Sequence, residues 1–468
     1  MLSLLYAVAT LFTAGDGLPA KPPAAVGMSA TRLAKINRVL ERGIIAGGFP
    51  GASIVVGRKG YAVWERGVGR LSWSRDAAPV VPNRTIYDLA SLTKVVATTT
   101  AIMILYDEGK LRLDDPVWRY IPAFAGGQKN NVTIRHLLTH RSGLPAGRDI
   151  WRIADSPWEA REAVIGSELM PGCPPGTCYE YSDLGAAMLG FIVEAVSGER
   201  LDKFLQRRVW DKLGMTDTYF KPPAALRPRI APTSLTSTRG YPLQGEVHDD
   251  NAAALGGIAG HAGLFSTASD LSIFAQMLLN GGEYNGVRIV SDSAVELFTT
   301  RSAGRRALGW DTCEGDYGCG RYLSERAYGH TGFTGTSMWI DPDRDMFVIL
   351  LTNRVHDARA RRPAKVISDV RADVADAAAL AVLDYGDVLA MPRAFRSDRA
   401  IGWNKSRIMP KKRSLRSARS APRRSKKARP RAPTRGKHAS SVRASARSVK
   451  ATPRKPVLLA AKARGRRG

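Results

Sequence analysis

Apolar positions recur at helical spacing near both ends of the chain, and hairpin signals lie just inside them. Leu33, Ile36, Val39, Leu40 and Ile44 stripe residues 29–47, closed by Gly47-Gly48, and predict an opening helix. Apolar runs at 52–56 and 62–65, split by Arg58-Lys59-Gly60, then read as two strands joined by a tight turn. The same arrangement stands reversed further on. Runs at 337–340 and 346–352 flank Asp341-Pro342-Asp343-Arg344-Asp345, and Val366, Ile367, Val370, Val374 and Leu380 stripe a helix over about 363–384. Helix and hairpin, then hairpin and helix, predict one antiparallel sheet assembled from both ends of the chain with helices on its faces. The middle becomes an insertion that is helical by pattern, at 91–107 and near 133–140, 184–197, 201–213 and 268–279. The expected fold class is α+β, and no internal repeat is evident.

Charge changes the picture at one end only. The formal net charge of +28 is concentrated in residues 401–468, which hold 24 Lys and Arg and no Asp or Glu. The remainder of the chain carries 46 basic against 42 acidic residues, about +4 net. A segment that repels itself and lacks apolar residues cannot bury enough surface to fold, so a basic, disordered tail is expected over 391–468. Such a tail would bind polyanions through counterion release, or be a solvated extension with no dedicated partner. Without aromatic interleaving or a folded nucleic-acid motif, no specific nucleic-acid recognition is expected.

The apolar run 2–12 followed by Ala14 and Gly15 reads as a secretory leader within residues 1–27, although it lacks a basic start. Nothing later reaches membrane-spanning length, so no transmembrane segment is expected. Four cysteines stand as two close pairs, Cys173 with Cys178 and Cys313 with Cys319. Two local disulfides, which fit an oxidising compartment, and four reduced thiols both remain open.

The chemistry begins at Ser91-Leu92-Thr93-Lys94, the one Ser-x-x-Lys in the 468 residues. Positions i and i+3 share a helix face, so Lys94 Nζ can reach Ser91 Oγ and accept or share the proton that makes a serine a poor nucleophile. By itself the pattern also suits an ordinary helix start. Tyr181-Ser182-Asp183 and His330-Thr331-Gly332 follow at long intervals. His136 and His140 stand four apart, but Leu137 occupies the place of the Glu that a zinc protease needs, and both are read as structural; no metal site is assigned. His248, Asp249, Asn251 and His261 form a polar run read as a loop held by side-chain hydrogen bonds. The Gly-x-Ser-x-Gly elbow of α/β-hydrolases does not occur.

The three motifs in this order resemble those of the serine β-lactamase and penicillin-binding-protein family, in its class C β-lactamase, D,D-peptidase and family VIII esterase branch. The lead-in Tyr87-Asp88-Leu89-Ala90, the stretch 133–144 and the run Gly329 to Gly335 extend the likeness over about 28–390. The resemblance implies a β-lactamase/transpeptidase-like antiparallel sheet flanked by helices, an inserted all-helical region, and an active site in the cleft between them. It implies Ser91 as acylated nucleophile, with Lys94 or Tyr181 as general base, and substrate contacts from Asp183, His330, Thr331, Gly332 and Phe333. The backbone N–H groups of Ser91 and Phe333 would form the oxyanion hole. Asp183 and His330 depart from class C enzymes, which usually carry Asn and Lys there. A carboxylate at 183 would hold Lys94 protonated, and an imidazole at 330 offers no fixed cation for a penicillin's carboxylate. The expected activity is hydrolysis of an amide or ester in a small-molecule or peptide substrate. It would need no cofactor and would be carried out by a monomer in the periplasm or outside the cell. A non-catalytic binder of cell-wall peptide, or a polyanion binder working through the tail, is the alternative from another class.

Overall fold

The computed structural model describes residues 17–314 and 318–404. Six strands form the main sheet: β1 (Gly51–Arg58), β2 (Tyr61–Gly69), β3 (Asp311–Thr312), β4 (Tyr328–Thr331), β5 (Ser337–Asp341) and β6 (Met346–Thr352). Their spatial order is β2-β1-β6-β5-β4-β3, antiparallel throughout. The pairing of Ala52 with Thr352 and of Arg58 with Met346 joins the first hairpin to the last. The sheet is thus built from both ends of the chain, as the pattern predicts.

Both faces of this sheet are covered, which is why β1 and β6 read as continuous apolar runs rather than alternating ones. Side chains still alternate between faces. Val55, Phe347, Ile349 and Leu351 belong to the core shared with the central helices, whereas Ile54, Val56, Met346, Val348 and Leu350 enter a second core under the terminal helices. Those are α1 (Lys35–Ile45) and a long helix near the other end, Pro363–Ala379. The inserted region supplies α2 (Thr100–Asp107), α3 (Ile134–Leu138), α4 (Asp183–Ser197) and α5 (Ala268–Leu279); Pro363–Ala379 is α6. Residues Lys94–Thr99 form a π-type helical segment that runs straight into α2, so the helix expected from 91 has Ser91 in the turn before it and a widened first part.

The domain limits expected at 28 and 390 fall inside packed chain. Leu18 is buried, Lys21 N donates to Ala62 O and Ala62 N to Pro19 O (both 3.0 Å), and Arg58 Nη1 donates to Val26 O (2.6 Å). These contacts tie residues 18–26 to the first hairpin, a partnership that local apolar spacing does not encode. At the other end Phe395 and Trp403 are buried in the core under α6, and Trp403 Nε1 donates to Asp369 Oδ2 (2.7 Å). The apolar run 2–12 and the basic segment from 405 lie outside the described residues. Among the described residues no helix is long and apolar enough to cross a membrane.

Trp403→Ala is expected to destabilise the protein by about 3–5 kcal/mol, the cost of truncating a buried tryptophan. Urea denaturation measures it, and a change below about 1 kcal/mol would place residue 403 outside the cooperative unit.

Candidate active site

Ser91 stands on a loop that three neighbours hold in place. Tyr87–Asp88 pairs with Leu264–Ser266 in a small three-stranded sheet, fixing Asp88 beside the loop. The Asp88 carboxylate accepts from Ala90 N (2.8 Å) and His248 N (2.7 Å). This stabilises Ala90 in a left-handed conformation, φ 47°, which turns the chain so that Ser91 faces the cleft. Thr93 Oγ1 accepts from Leu264 N (3.1 Å) and anchors the following turn.

Lys94 is buried beneath Ser91. Its Nζ donates to Ser91 Oγ (3.1 Å) and His261 O (3.0 Å) and lies 2.6 Å from Asp183 Oδ1. Burial works against its charge, but the Asp183 carboxylate and the Tyr181 phenol more than offset this and push Lys94 above the ordinary lysine range. The contact expected between Asp183 and the amine is present, and its direction on the Lys94 pKa favours the protonated form.

Tyr181 and Asp183 reach this point from the start of α4. Ser182 caps that helix, its Oγ accepting from Gly185 N (3.1 Å) and donating to Pro145 O (2.7 Å). His140, buried and left-handed at φ 54°, accepts from Ser182 N through Nδ1 (3.0 Å) and places its ring 4.5 Å from that of Tyr181. It supports the phenol's position. His136 takes part in a capping box with Thr133, whose N donates to His136 Nδ1 (3.3 Å), so the histidine pair reads as structural here too. Lys94 Nζ lies 5.1 Å from the centre of the Tyr181 ring.

The third segment is stitched directly to the first. Thr334 Oγ1 donates to Asp88 O (2.7 Å) and Thr336 Oγ1 to Leu89 O (2.9 Å), so the β4–β5 turn lies against the Ser91 loop. At Gly332 a Cβ would stand 2.4 Å from Leu89 O, and only glycine permits that approach. Arg371 on α6 donates to Gly332 O (2.5 Å) and Thr336 O (2.8 Å) from behind.

Ser91, Tyr181, His330, Thr331, Gly332 and Phe333 line one cleft of about 550 Å³, with Lys94 and Asp183 beneath it. All eight expected site residues therefore meet. His330 is buried, its Nδ1 2.8 Å from Thr331 O. Burial, opposed by Asp311 and reinforced by Arg306 and Lys94, pushes its pKa down to about 4, so the ring is neutral at pH 7. The cleft is also lined by Arg306, paired with Asp311, and by Arg354 and Arg371, which no sequence motif marked, and by Arg141 from the stretch 133–144. Their positions come from separate loops and from α6, and no spacing links them.

Both close cysteine pairs are disulfides, Cys173–Cys178 and Cys313–Cys319, each next to a cleft-lining segment. The polar run holds its loop as expected: His261 Nε2 lies 3.0 Å from Asp249 Oδ1, and Asn251 bridges Trp151 N (3.2 Å) and Arg148 O (2.8 Å). It also reaches the site, through the His261 carbonyl on Lys94.

The family model described as Beta-lactamase matches residues 36–371. A protein of Escherichia coli (strain K12), provisionally named D-alanyl-D-alanine carboxypeptidase, is 33% identical over 380 residues, covering 71% of this chain and 85% of that protein. N-acetylmuramyl-L-alanine amidase of Bacillus subtilis (strain 168) is 33% identical over 367 residues, 70% of this chain and 82% of its own. Among solved structures, a penicillin-binding-protein homologue from Caulobacter crescentus superposes with a TM-score of 0.60 at 21% identity, covering 75% of this chain and 99% of its own. A class C β-lactamase gives 0.58 at 19% identity over 73% and 97%. These structural likenesses bear out the expected fold.

Neutral, buried histidines make stability depend on pH. His330 and His140 both have folded pKa values below the ordinary one, so the unfolded chain binds their protons first. The contribution of His330 is complete above about pH 6.5 and is lost as pH falls towards 4, at about 1.4 kcal/mol per unit, and that of His140 is lost in the same direction. Urea midpoints at pH 7, 5.5 and 4.5 should therefore decline, and His330→Gln should make the decline shallower. An unchanged slope in that variant would mean His330 is already charged in the fold.

Proposed function

The chain belongs to the β-lactamase family of hydrolases, and we propose that within it the chain is a serine peptidase of the D,D-peptidase type, acting through an acyl-enzyme on Ser91. The observation that carries this reading is the convergence of a hydroxyl, an amine and a phenol from separate segments on one cleft, with Lys94 Nζ 3.1 Å from Ser91 Oγ. The names of the two curated relatives supply the substrate class, an amide bond in cell-wall peptide.

Proton traffic follows from the charge on Lys94. An ammonium paired with Asp183 has no lone pair with which to accept the hydroxyl proton, but it can donate to Ser91 Oγ and stabilise the developing alkoxide. The Tyr181 oxygen is then the general base, taking the Ser91 proton and returning it to the leaving amine. Water, activated by the same oxygen, releases the acyl group. The N–H groups of Ser91 and Phe333 form the oxyanion hole, a placement supported by the stitching of the β4–β5 turn to Leu89. A neutral His330 leaves the usual anchor for a penicillin's carboxylate unfilled, which favours peptide over β-lactam turnover. Export to the periplasm or the cell exterior follows from that substrate, and the two disulfides agree with it.

Ser91→Ala should abolish turnover of a D-alanyl-D-alanine peptide and of p-nitrophenyl butyrate, and should remove labelling by a fluorophosphonate. An active Ser91→Ala protein would refute the nucleophile. Tyr181→Phe should lower kcat by about 10²–10⁴, the ordinary contribution of a general base.

The reading in which the tail carries the function differs in a simple test. A chain ending at residue 404 should keep its hydrolytic kcat/KM within about twofold, since every group this reading assigns to the chemistry lies before that point. Loss of hydrolysis on that deletion would return the polyanion reading to first place.

A further inference from the structure

Away from the cleft, the surface over the terminal helices carries charge of nearly one sign. Three segments are joined there in a closed circuit. Gly47 O, just past α1, accepts from Arg359 N and Ala360 N, both at 2.8 Å. Arg361 N donates to Asn404 Oδ1 (3.2 Å), and the short helix Arg396–Arg399 returns to α1 through the ion pair of Asp398 with Arg42. Segments 35–47, 359–365 and 393–404 therefore border one surface. Their sequence holds ten Lys and Arg against two acidic residues, Glu41 and Asp398.

Part of this charge is balanced within the protein. Arg38 and Arg42 pair with Asp398, Lys365 with Asp369, and Arg396 with Asp373 and Asp376. Lys35, Arg359, Arg361, Arg362, Arg393 and Arg399 are exposed, and among the described residues none of the six has an ion pair. Crowded cations repel one another, a cost that an external anion relieves. Two large aliphatic side chains stand among them: Ile45, at the end of α1, is 84% exposed, and Ile401 is 62% exposed. Ile401, Arg393 and Arg399 line one hollow of about 470 Å³. Protruding isoleucines suit the boundary between lipid headgroups and acyl chains, where the surrounding cations meet lipid phosphates. The aromatic residues of these segments, Phe395 and Trp403, are buried, so no ring is offered to nucleic-acid bases.

We propose that this face docks on an anionic phospholipid bilayer, with Ile45 and Ile401 entering the headgroup boundary and the unpaired cations lying against lipid phosphates. The docking is independent of the Ser91 reading and of any contact made by residues 405–468. Each Lys or Arg brought to such a surface adds about fivefold in affinity, and the attraction weakens as salt rises.

Because the four cysteines are paired, one introduced cysteine can carry an environment-sensitive fluorophore in the full-length protein. Labels at Ile45→Cys and Ile401→Cys should shift to the blue on vesicles of phosphatidylglycerol and phosphatidylethanolamine. A label at Trp158→Cys, in the helical insertion and 69% exposed, should not. Arg361→Glu/Arg362→Glu/Arg399→Glu should raise the lipid concentration needed for the shift at least about tenfold. Vesicle binding that leaves the labels at 45 and 401 unchanged overturns the proposal, because the contact then runs through another part of the chain. So do an equal shift at 158, an equal shift on phosphatidylcholine vesicles, the same shift with duplex DNA in place of vesicles, and a triple variant that needs no more lipid than the wild type.

Discussion

The buried ion pair between Lys94 and Asp183 is the contact on which the cleft depends. An ammonium in that position, beneath the protein surface, would be costly alone; the carboxylate at 2.6 Å, the His261 carbonyl and the Ser91 oxygen together satisfy it. The pair also joins three parts of the chain. Lys94 belongs to the turn before α2, Asp183 opens α4, and His261 ends the polar loop, so the charge that serves the proposed chemistry also closes the helical region around it.

The sheet solves the complementary problem of bringing the third segment up to the first. Its central strands are buried on both faces and leave little freedom for slippage, since a one-residue shift in β6 would exchange Phe347, Ile349 and Leu351 with the residues of the opposite core. The β4–β5 turn projects from this rigid frame and is held at Asp88 and Leu89 by two threonine hydroxyls, with Arg371 behind it. The third segment is therefore fixed by hydrogen bonds to the first, while the Ser91 loop and the start of α4 are also held by bonds of their own. Asp88 is central to that arrangement, because one carboxylate orients the Ala90 turn and also the polar loop at His248.

Electrostatically the cleft keeps residue 330 neutral and carries its positive charge elsewhere in the lining. His330 is buried, neutral and hydrogen-bonded to its own strand, while positive charge in the cleft lining is carried by arginines such as Arg306, Arg354 and Arg371. Burial explains the division. Close beside Lys94 a second cation would be repelled as well as desolvated, whereas a guanidinium against the exposed ring of Phe333 keeps one side towards water.

Local patterning was enough to locate the two hairpins, the helices that flank them and the helical insertion, because strand and helix periods are properties of neighbouring residues. The spacing of Ser91 and Lys94 likewise predicted their contact, since it follows from short-range geometry. Other features were not legible in this way. The packing of residues 18–26 on the first hairpin, the burial of Trp403 under α6, the support of Tyr181 by His140 and the gathering of Arg306, Arg354 and Arg371 in the cleft lining all join positions far apart in the chain. Such pairings are chosen by the closing of the sheet and the burial of its two faces, a free energy shared over the whole molecule, and a single sequence carries no local mark of which distant surface each residue will meet.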